Sequence, residues 1–455
     1  MKLVKMSLVA VMALGTSAFA VDNLKVMGEA KLWYQTSEFS GNAANTTPTF
    51  TGSSVMQKDQ SFFNKQNNSS AEVKLSVGAS ADLMKNLSAN VKLTALTTLG
   101  LENNLVGAIP AAKFDNAGNA AANQLDDQSW MEVANLKYAQ KEFDVTMGRM
   151  ALQTPLCFTE NWNVVDNTFE AAVAHAYVLP DTILAAAWVG KHNGVGLLPT
   201  AGRGTTVANG GTFNTFGMDG AYAAAAINKS LPSTTVQAWY YNVPEIADAM
   251  WLQADAKVLG MIDLGVQYAS MSPKLSLNTA AKAGYTALQV AGAGDALDKS
   301  SNAVAVKAAV DVAGVNLYAA YSKVSTGTLG FANVATGDKT MLYTGLGSVY
   351  MDGEIVAAPD TKAWKVGAST KMVPGVALST SYCAAQVGAN NGAFAPVARA
   401  ATASTDFTAW DVVATTKVAM IDVTAIYTQW NKDVKATDTA DKTTDTFRVI
   451  ASLKF

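Results

Sequence analysis

The chain has 455 residues, of which 49% are hydrophobic and only 15% charged, and its formal net charge is −3. So weakly charged and slightly acidic a chain excludes a polyanion-binding surface, and no nucleic-acid partner is expected. Two cysteines, Cys157 and Cys383, with no C-x-x-C pair, exclude a disulfide-stapled scaffold.

The first element in chain order is not part of the fold. Lys2 and Lys5 give a positive start, Met6 to Leu14 is apolar apart from Ser7, and Ala18-Phe19-Ala20 is a small-x-small cleavage site. That order describes a secretory signal peptide over residues 1–20, cut before Val21. The competing reading, a short helix at the start of a cytosolic protein, leaves the cleavage site unexplained. No later stretch approaches the roughly 18 consecutive apolar residues of a spanning helix. Residues 21–455 are read as one domain.

Period-two alternation then recurs along the chain. Leu24, Val26, Gly28, Ala30, Leu32 and Tyr34 interleave with Lys25, Met27, Glu29, Lys31, Trp33 and Gln35. Such a strand is apolar on one face and largely polar on the other. The next pair sets Val73, Leu75 and Val77 against Glu72, Lys74 and Ser76, then Val91 and Leu93 against Lys92 and Thr94. Later strands repeat one layout, in which the apolar face ends in a tyrosine beside a long loop: Tyr240, Tyr268, Tyr321, Tyr382 and Tyr427, with Trp188 and Tyr34 in the same place. A membrane interface selects such rings, which are apolar in body and polar at the tip.

Strand centres fall near residues 30, 76, 92, 134, 146, 173, 187, 224, 238, 253, 267, 307, 319, 367, 380, 413, 426 and 450. Short turns are expected near 84, 141, 179, 230, 260, 314, 374 and 420. Mostly long loops are expected near 36–70, 99–127, 151–167, 194–218, 272–301, 324–361, 386–407 and 431–443. The fold expected is all-β: a transmembrane antiparallel up-and-down barrel of about 18 strands, with short periplasmic turns and long external loops. The Ala-rich runs Ile183 to Val189 and Ala221 to Ile227 also suit helices, but both are short and sit between turn signals beside clear strands. A soluble all-β repeat protein would need another layer over every half-apolar face; closure in lipid leaves no edge exposed.

The chain stops on a strand in which Phe447, Val449, Ala451, Leu453 and Phe455 share one face. With the signal peptide, this C-terminal pattern of Phe447, Val449, Leu453 and Phe455 reads as an outer-membrane assembly signal. It implies the barrel-assembly machinery as a partner during biogenesis and outer-membrane lipid thereafter.

The start Met1-Lys2-Leu3-Val4-Lys5, the end Leu453-Lys454-Phe455 and several inner segments resemble the major outer-membrane protein porins of epsilonproteobacteria, themselves distantly similar to OprD-type porins. Those segments are Leu99-Gly100-Leu101-Glu102-Asn103-Asn104 after Thr97, Gly148-Arg149 leading to Thr154-Pro155-Leu156, Asn167-Thr168-Phe169-Glu170-Ala171, and Ala186 to Gly190. The resemblance spans nearly the whole mature chain, the long loops matching poorly. It implies eighteen strands, a homotrimer, and a third external loop folded inward to narrow a pore.

If apolar residues face lipid, the interleaved charges Lys25, Glu29, Lys31, Lys74, Lys92, Arg149, Glu170 and Lys365 face the lumen. Unpaired charge buried in a dry core is prohibitively costly, so these imply a water-filled channel, although any one of them can equally brace the wall through a cross-strand pair. Residues 151–167, placed after the fifth strand, form the expected constriction loop. It carries Glu160 and Asp166 and no Lys or Arg, with Arg149 at its root. Acids facing a basic wall set up a transverse field with a weak lean toward cations.

Cys157 in that loop and Cys383 on a lumen face are read as unrelated thiols, a bridge between them being the lesser alternative. Motifs of catalysis are missing, and His175 and His192 pair with no readable serine, so no enzyme and no cofactor are expected. Acidic loop residues offer Ca²⁺ ligands without defining a site. Passive diffusion of ions and small hydrophilic solutes is the function expected. A selective channel with a binding site at the constriction, or a surface structural or adhesin barrel, are the alternatives.

Overall fold

The computed structural model describes residues 22–41, 62–63, 69–97, 112–114, 120–125, 127–194, 207, 209–217, 219–274, 299–346, 352–388, 404–435 and 442–455. The signal peptide read over 1–20 and much of the external loops lie outside the described residues.

The alternating segments form eighteen long strands: β1 (Asp22–Gly41), β2 (Ser69–Met84), β3 (Leu87–Thr97), β4 (Gln128–Ala139), β5 (Phe143–Met150), β6 (Phe169–Leu179), β7 (Thr182–His192), β8 (Ala221–Asn228) and β9 (Thr234–Val243). They continue as β10 (Ala247–Val258), β11 (Ile262–Pro273), β12 (Ser301–Val312), β13 (Val315–Val324), β14 (Thr361–Thr370), β15 (Val376–Val387), β16 (Thr405–Val418), β17 (Ile421–Val434) and β18 (Lys442–Lys454). Every sequence-derived centre lies inside its strand. Both Ala-rich runs are extended rather than helical: in β8 and β7, Ala224 sits opposite Ala186.

Each strand pairs antiparallel with its neighbours in sequence, and β1 also pairs with β18, from Glu29 opposite Lys454 to Gly41 opposite Lys442. The sheet is therefore a closed barrel, and no long strand leaves its backbone groups unpaired, the condition for crossing hydrocarbon. A two-residue strand, Asn214–Thr215, pairs antiparallel with Lys191 and His192 at the outer end of β7. A separate two-stranded piece, Ala112–Phe114 with Ala120–Leu125, belongs to the second external loop. No described helix is long and apolar enough to cross a membrane.

Eight short turns join the strands at one end. Six of them place a non-glycine residue in the left-handed region, at Asn86, Asp181, Ser233, Leu259, Ala313 and Ala419, with φ between 50° and 68°. The opposite end carries the loops, all longer except the three residues 244–246 between β9 and β10, which the sequence reading did not resolve as a separate loop.

The two faces of the wall separate as the alternation requires. On β1, Leu32 is 46% exposed while Lys31 and Trp33 beside it are buried. Toward the loop end, the outer face carries a band of rings. Trp188 stands opposite Tyr222, Tyr321 opposite Trp364, Tyr382 opposite Trp410, and Tyr427 opposite Phe447. Tyr34, Tyr240 and Tyr268 continue it.

The seam between first and last strands has a specific lock. Gly28 and Phe455 exchange two backbone hydrogen bonds, N to O at 2.6 and 3.0 Å. The Phe455 ring lies over Gly28, where an added Cβ would come within 2.3 Å of the ring. The expected C-terminal residue thus packs on the outer face of the barrel's own first strand.

Candidate functional site: two loops folded into the lumen

Two connections turn inward and meet inside the barrel. The first is the expected constriction loop, 151–168 between β5 and β6. It closes on itself, with Thr159 N donating to Leu152 O at 2.8 Å, Glu160 N to Asn167 Oδ1 at 2.7 Å and Asn167 Nδ2 to Phe158 O at 3.1 Å. From that turn it reaches opposite sides of the lumen. Leu156 packs in one apolar cluster with Trp239, Trp251 and Met271 of β9, β10 and β11. Val164 and Val165 pack in another with Trp33, Leu96 and Trp130 of β1, β3 and β4.

The second inward connection, between β13 and β14, was expected only as an external loop. Instead its described residues, 325–346 and 352–360, run down the lumen wall. Tyr343 OH donates to Asp255 Oδ1 at 2.8 Å, Gln267 Nε2 to Met341 O at 2.8 Å and Lys365 Nζ to Gly345 O at 2.7 Å. A signal for this lies in its composition: Leu329, Phe331, Leu342, Leu346, Ile355 and Val356 are all buried, and a loop extended into water has no use for six such side chains.

Glu160 joins the two loops. Its carboxylate accepts from Trp162 Nε1 at 2.6 Å, Asn333 Nδ2 at 2.8 Å, Lys339 N at 3.2 Å and the Thr336 hydroxyl. Asn333 adds a bond to Phe158 O at 2.8 Å, and Val334 N donates to Leu156 O at 2.9 Å. Glu160 is 2% exposed. It is therefore a clasp between loops and not a charge offered to a passing solute.

Asp166 is the loop acid that does face basic wall. Its carboxylate lies 3.7 Å from Lys74 Nζ, which also pairs with Glu29 at 2.6 Å, and Lys31 stands nearby on β1. Arg448 of β18 holds the same arm of the loop. Its guanidinium binds Gln35 Oε1 at 2.8 and 3.1 Å, donates to Trp162 O at 3.5 Å and lies 4.8 Å from the Trp33 ring. Lys92 pairs with Glu132 at 2.6 Å and Lys307 with Asp255 at 2.6 Å, so much of the lumen charge braces neighbouring strands. Lys25 lies near the short-turn end of β1 and is exposed.

Two expected lumen residues are on the other side of the wall. Arg149 pairs with Glu170 at 2.9 Å and Glu170 with Lys191 at 3.5 Å. Arg149 shares its face with outward Met147 (60% exposed), while Met150 beside it is buried in the lumen. Glu170 lies between buried Phe169 and Ala171. The cause is local: alanines occupy both faces of β6, and extra residues at Glu132 in β4 and Gly190 in β7 shift the register, so the alternation carries no phase there.

The remaining titratable residues fall into place separately. His175 Nδ1 is 3.1 Å from Asp144 near the short-turn end, and His192 packs edge-on against Phe216 with ring centres 5.2 Å apart. Cys157 and Cys383 are free and sit in different apolar clusters. Burial pushes the Cys157 thiol well above its ordinary range. Neither cysteine should react with a maleimide in the folded protein, both should react after denaturation, and reduction should leave electrophoretic mobility unchanged. No group of metal-ligating side chains occurs among the described residues.

Asp352, in the second loop, accepts from Thr340 N at 2.9 Å and pairs with Lys339 at 3.2 Å. Burial nevertheless raises its carboxyl from the ordinary 3.8 to about 6. A carboxyl raised on docking favours the docked loop when protonated. That contribution is complete below pH 4 and lost as pH rises through 6, for about 3 kcal/mol in all. Proteolysis within 339–352 should accordingly increase from pH 4 to pH 7, and Asp352→Asn should flatten the dependence.

Comparison with known proteins places this geometry. No family model matches the chain, and no curated protein matches it. Solved structures do. Pseudomonas aeruginosa OpdK, determined with vanillate, superposes with a TM-score of 0.66 over 96% of this chain and 100% of its own, at 12% identity. OccK9 (OpdG) of the same organism gives 0.67 over 96% and 100%, also at 12%. OccK2 (OpdF), in complex with glucuronate, gives 0.63 over 96% and 99%, at 13%. The chain has the closed eighteen-stranded fold of these porins.

Proposed function

We propose that the protein is an outer-membrane porin, exported by its signal peptide, that passes ions and small hydrophilic solutes through a channel narrowed by its two inward loops. The observation that carries this is the charged interior of a closed barrel whose outer face is apolar and banded with aromatic rings. A soluble protein has no reason to turn that face outward, and a dry core has no means to hold those charges. The OprD-type fold, together with the segments quoted from the sequence, supports reading the chain as a member of the epsilonproteobacterial branch of OprD-like porins.

With Glu160 committed to the loop clasp, selectivity rests on the cluster of Asp166, Glu29, Lys31 and Lys74 where the loop meets β1 and β2. Replacing Asp166 by Asn should move the reversal potential in a salt gradient toward chloride. Uptake into proteoliposomes tests the function itself. Small sugars and amino acids of different charge should enter at rates that fall with size and do not saturate. Saturable entry of a carboxylate such as glucuronate, the ligand of OccK2, would favour the selective channel over general diffusion. No entry of any solute would overturn both.

A further inference from the structure

On the outer wall near the loop end, the described cations are mostly held by acids. Lys274 pairs with Asp248, Lys435 with Asp406 and Asp433, and Arg149 and Lys191 share Glu170. Strands β13 and β14 depart from this, because Lys323 stands directly opposite Lys362. Both are exposed, while Ser322, Val324, Thr361 and Ala363, which alternate with them, are buried toward the lumen. Across the flanking strands the pair meets Val304 of β12 and Gln386 of β15, not a carboxylate. Asp360, two residues before Lys362, holds its carboxylate against Gly388 instead. Among the described residues, neither lysine has an ion-pair partner.

One step below on the same face, Tyr321 stands opposite Trp364. Those rings mark the membrane interface, and two residues of strand carry the lysines about 7 Å beyond it, toward the loops. Their ammonium groups therefore reach the headgroups of the outer leaflet, with the aliphatic stems lying along the wall. Like charges directly opposite in a sheet weaken it, so this pair costs stability unless an anion bridges it. We infer that Lys323 and Lys362 together bind a phosphate group of lipopolysaccharide, the lipid of that leaflet. A phosphate monoester of its lipid A carries about −1.5 to −2 charges near neutral pH and three acceptor oxygens. Two ammonium groups match it in charge and in donors. A protein partner is disfavoured, because lysine is depleted at protein interfaces. The acid-paired cations elsewhere on the rim offer no such site, since each already has its carboxylate.

The inference rests on the membrane orientation proposed above. Its test is native mass spectrometry of the folded protein in detergent, with purified lipid A as the probe. Wild type should retain lipid A, and Lys323→Gln with Lys362→Gln should lower the bound fraction at least fivefold. Lys323→Arg with Lys362→Arg keeps both charges and should retain the lipid. Lys257→Gln with Lys417→Gln removes the same charge at the short-turn end, where both lysines are ion-paired, and should bind as wild type does. Lipid A stripped of phosphate should bind wild type no better than lipid A binds the glutamine variant. Equal retention by wild type and the Lys323, Lys362 glutamine variant overturns the inference, as does an equal loss in the short-turn control. Undiminished binding of the dephosphorylated lipid overturns it by moving recognition to the sugars and acyl chains. The heat-modifiable band shows beforehand that each variant is folded. Single-channel conductance reads the channel alone, so its absence would end the channel reading without deciding where the lipid binds.

Discussion

Replacing Glu160 by leucine should unfasten the two inward loops and raise single-channel conductance about twofold or more, while leaving the barrel folded. The carboxylate accepts hydrogen bonds from four groups on two loops. Leucine keeps the bulk and strands those donors, each at a cost of roughly 1–3 kcal/mol. The rest of the clasp is Asn333 bonded in both directions with Phe158, Val334 N to Leu156 O, Lys339 over the Trp162 ring, and Leu156 in one apolar cluster with Leu329, Phe331 and Leu342. Glutamine is the instructive control. It preserves shape but turns half the acceptor into a donor, so it should give an intermediate channel with frequent steps between two levels. A Glu160→Leu channel with wild-type conductance would mean that the loops do not limit flow.

The second large effect should fall on assembly. In Gly28→Leu, the new side chain competes for the place of the Phe455 ring, which already lies within 2.3 Å of where a Cβ would be. Overpacking of this kind costs about 1–3 kcal/mol, and here it falls on the pairing that closes the barrel. The folded, heat-modifiable fraction in the outer membrane should drop several-fold. Phe455→Ala should be milder, because both backbone hydrogen bonds to Gly28 survive, and the double variant should recover part of the loss. Undiminished folding of Gly28→Leu would show that the seam closes without the ring.

These residues also show how far a sequence can be read. Wherever one face is large and apolar and the other charged, as with Leu32 against Lys31 or Val306 against Lys307, strand and orientation follow from period two alone. In β6 the run Ala171-Ala172-Val173-Ala174 offers either face to lipid at little cost, and the extra residues at Glu132 and Gly190 remove any phase carried over from neighbours. Arg149 and Glu170 were assigned to the lumen for that reason and stand outside it. The inward course of the second loop was hidden differently. Alternation says which way a strand faces but nothing about where a loop goes, and the clasp depends on Glu160 meeting Asn333, 173 positions away. Only the apolar composition of 329–356 hinted at burial.

The central claim is that water and ions cross this barrel through the gap left by the two loops. The most direct measurement is the conductance of purified, folded protein in a planar lipid bilayer, wild type beside Glu160→Leu. Ohmic steps of one size for wild type, and larger steps for the variant, are the predicted result. Protein that is folded and inserted but gives no steps in either form would contradict it, and would leave a sealed barrel whose loops serve as a plug.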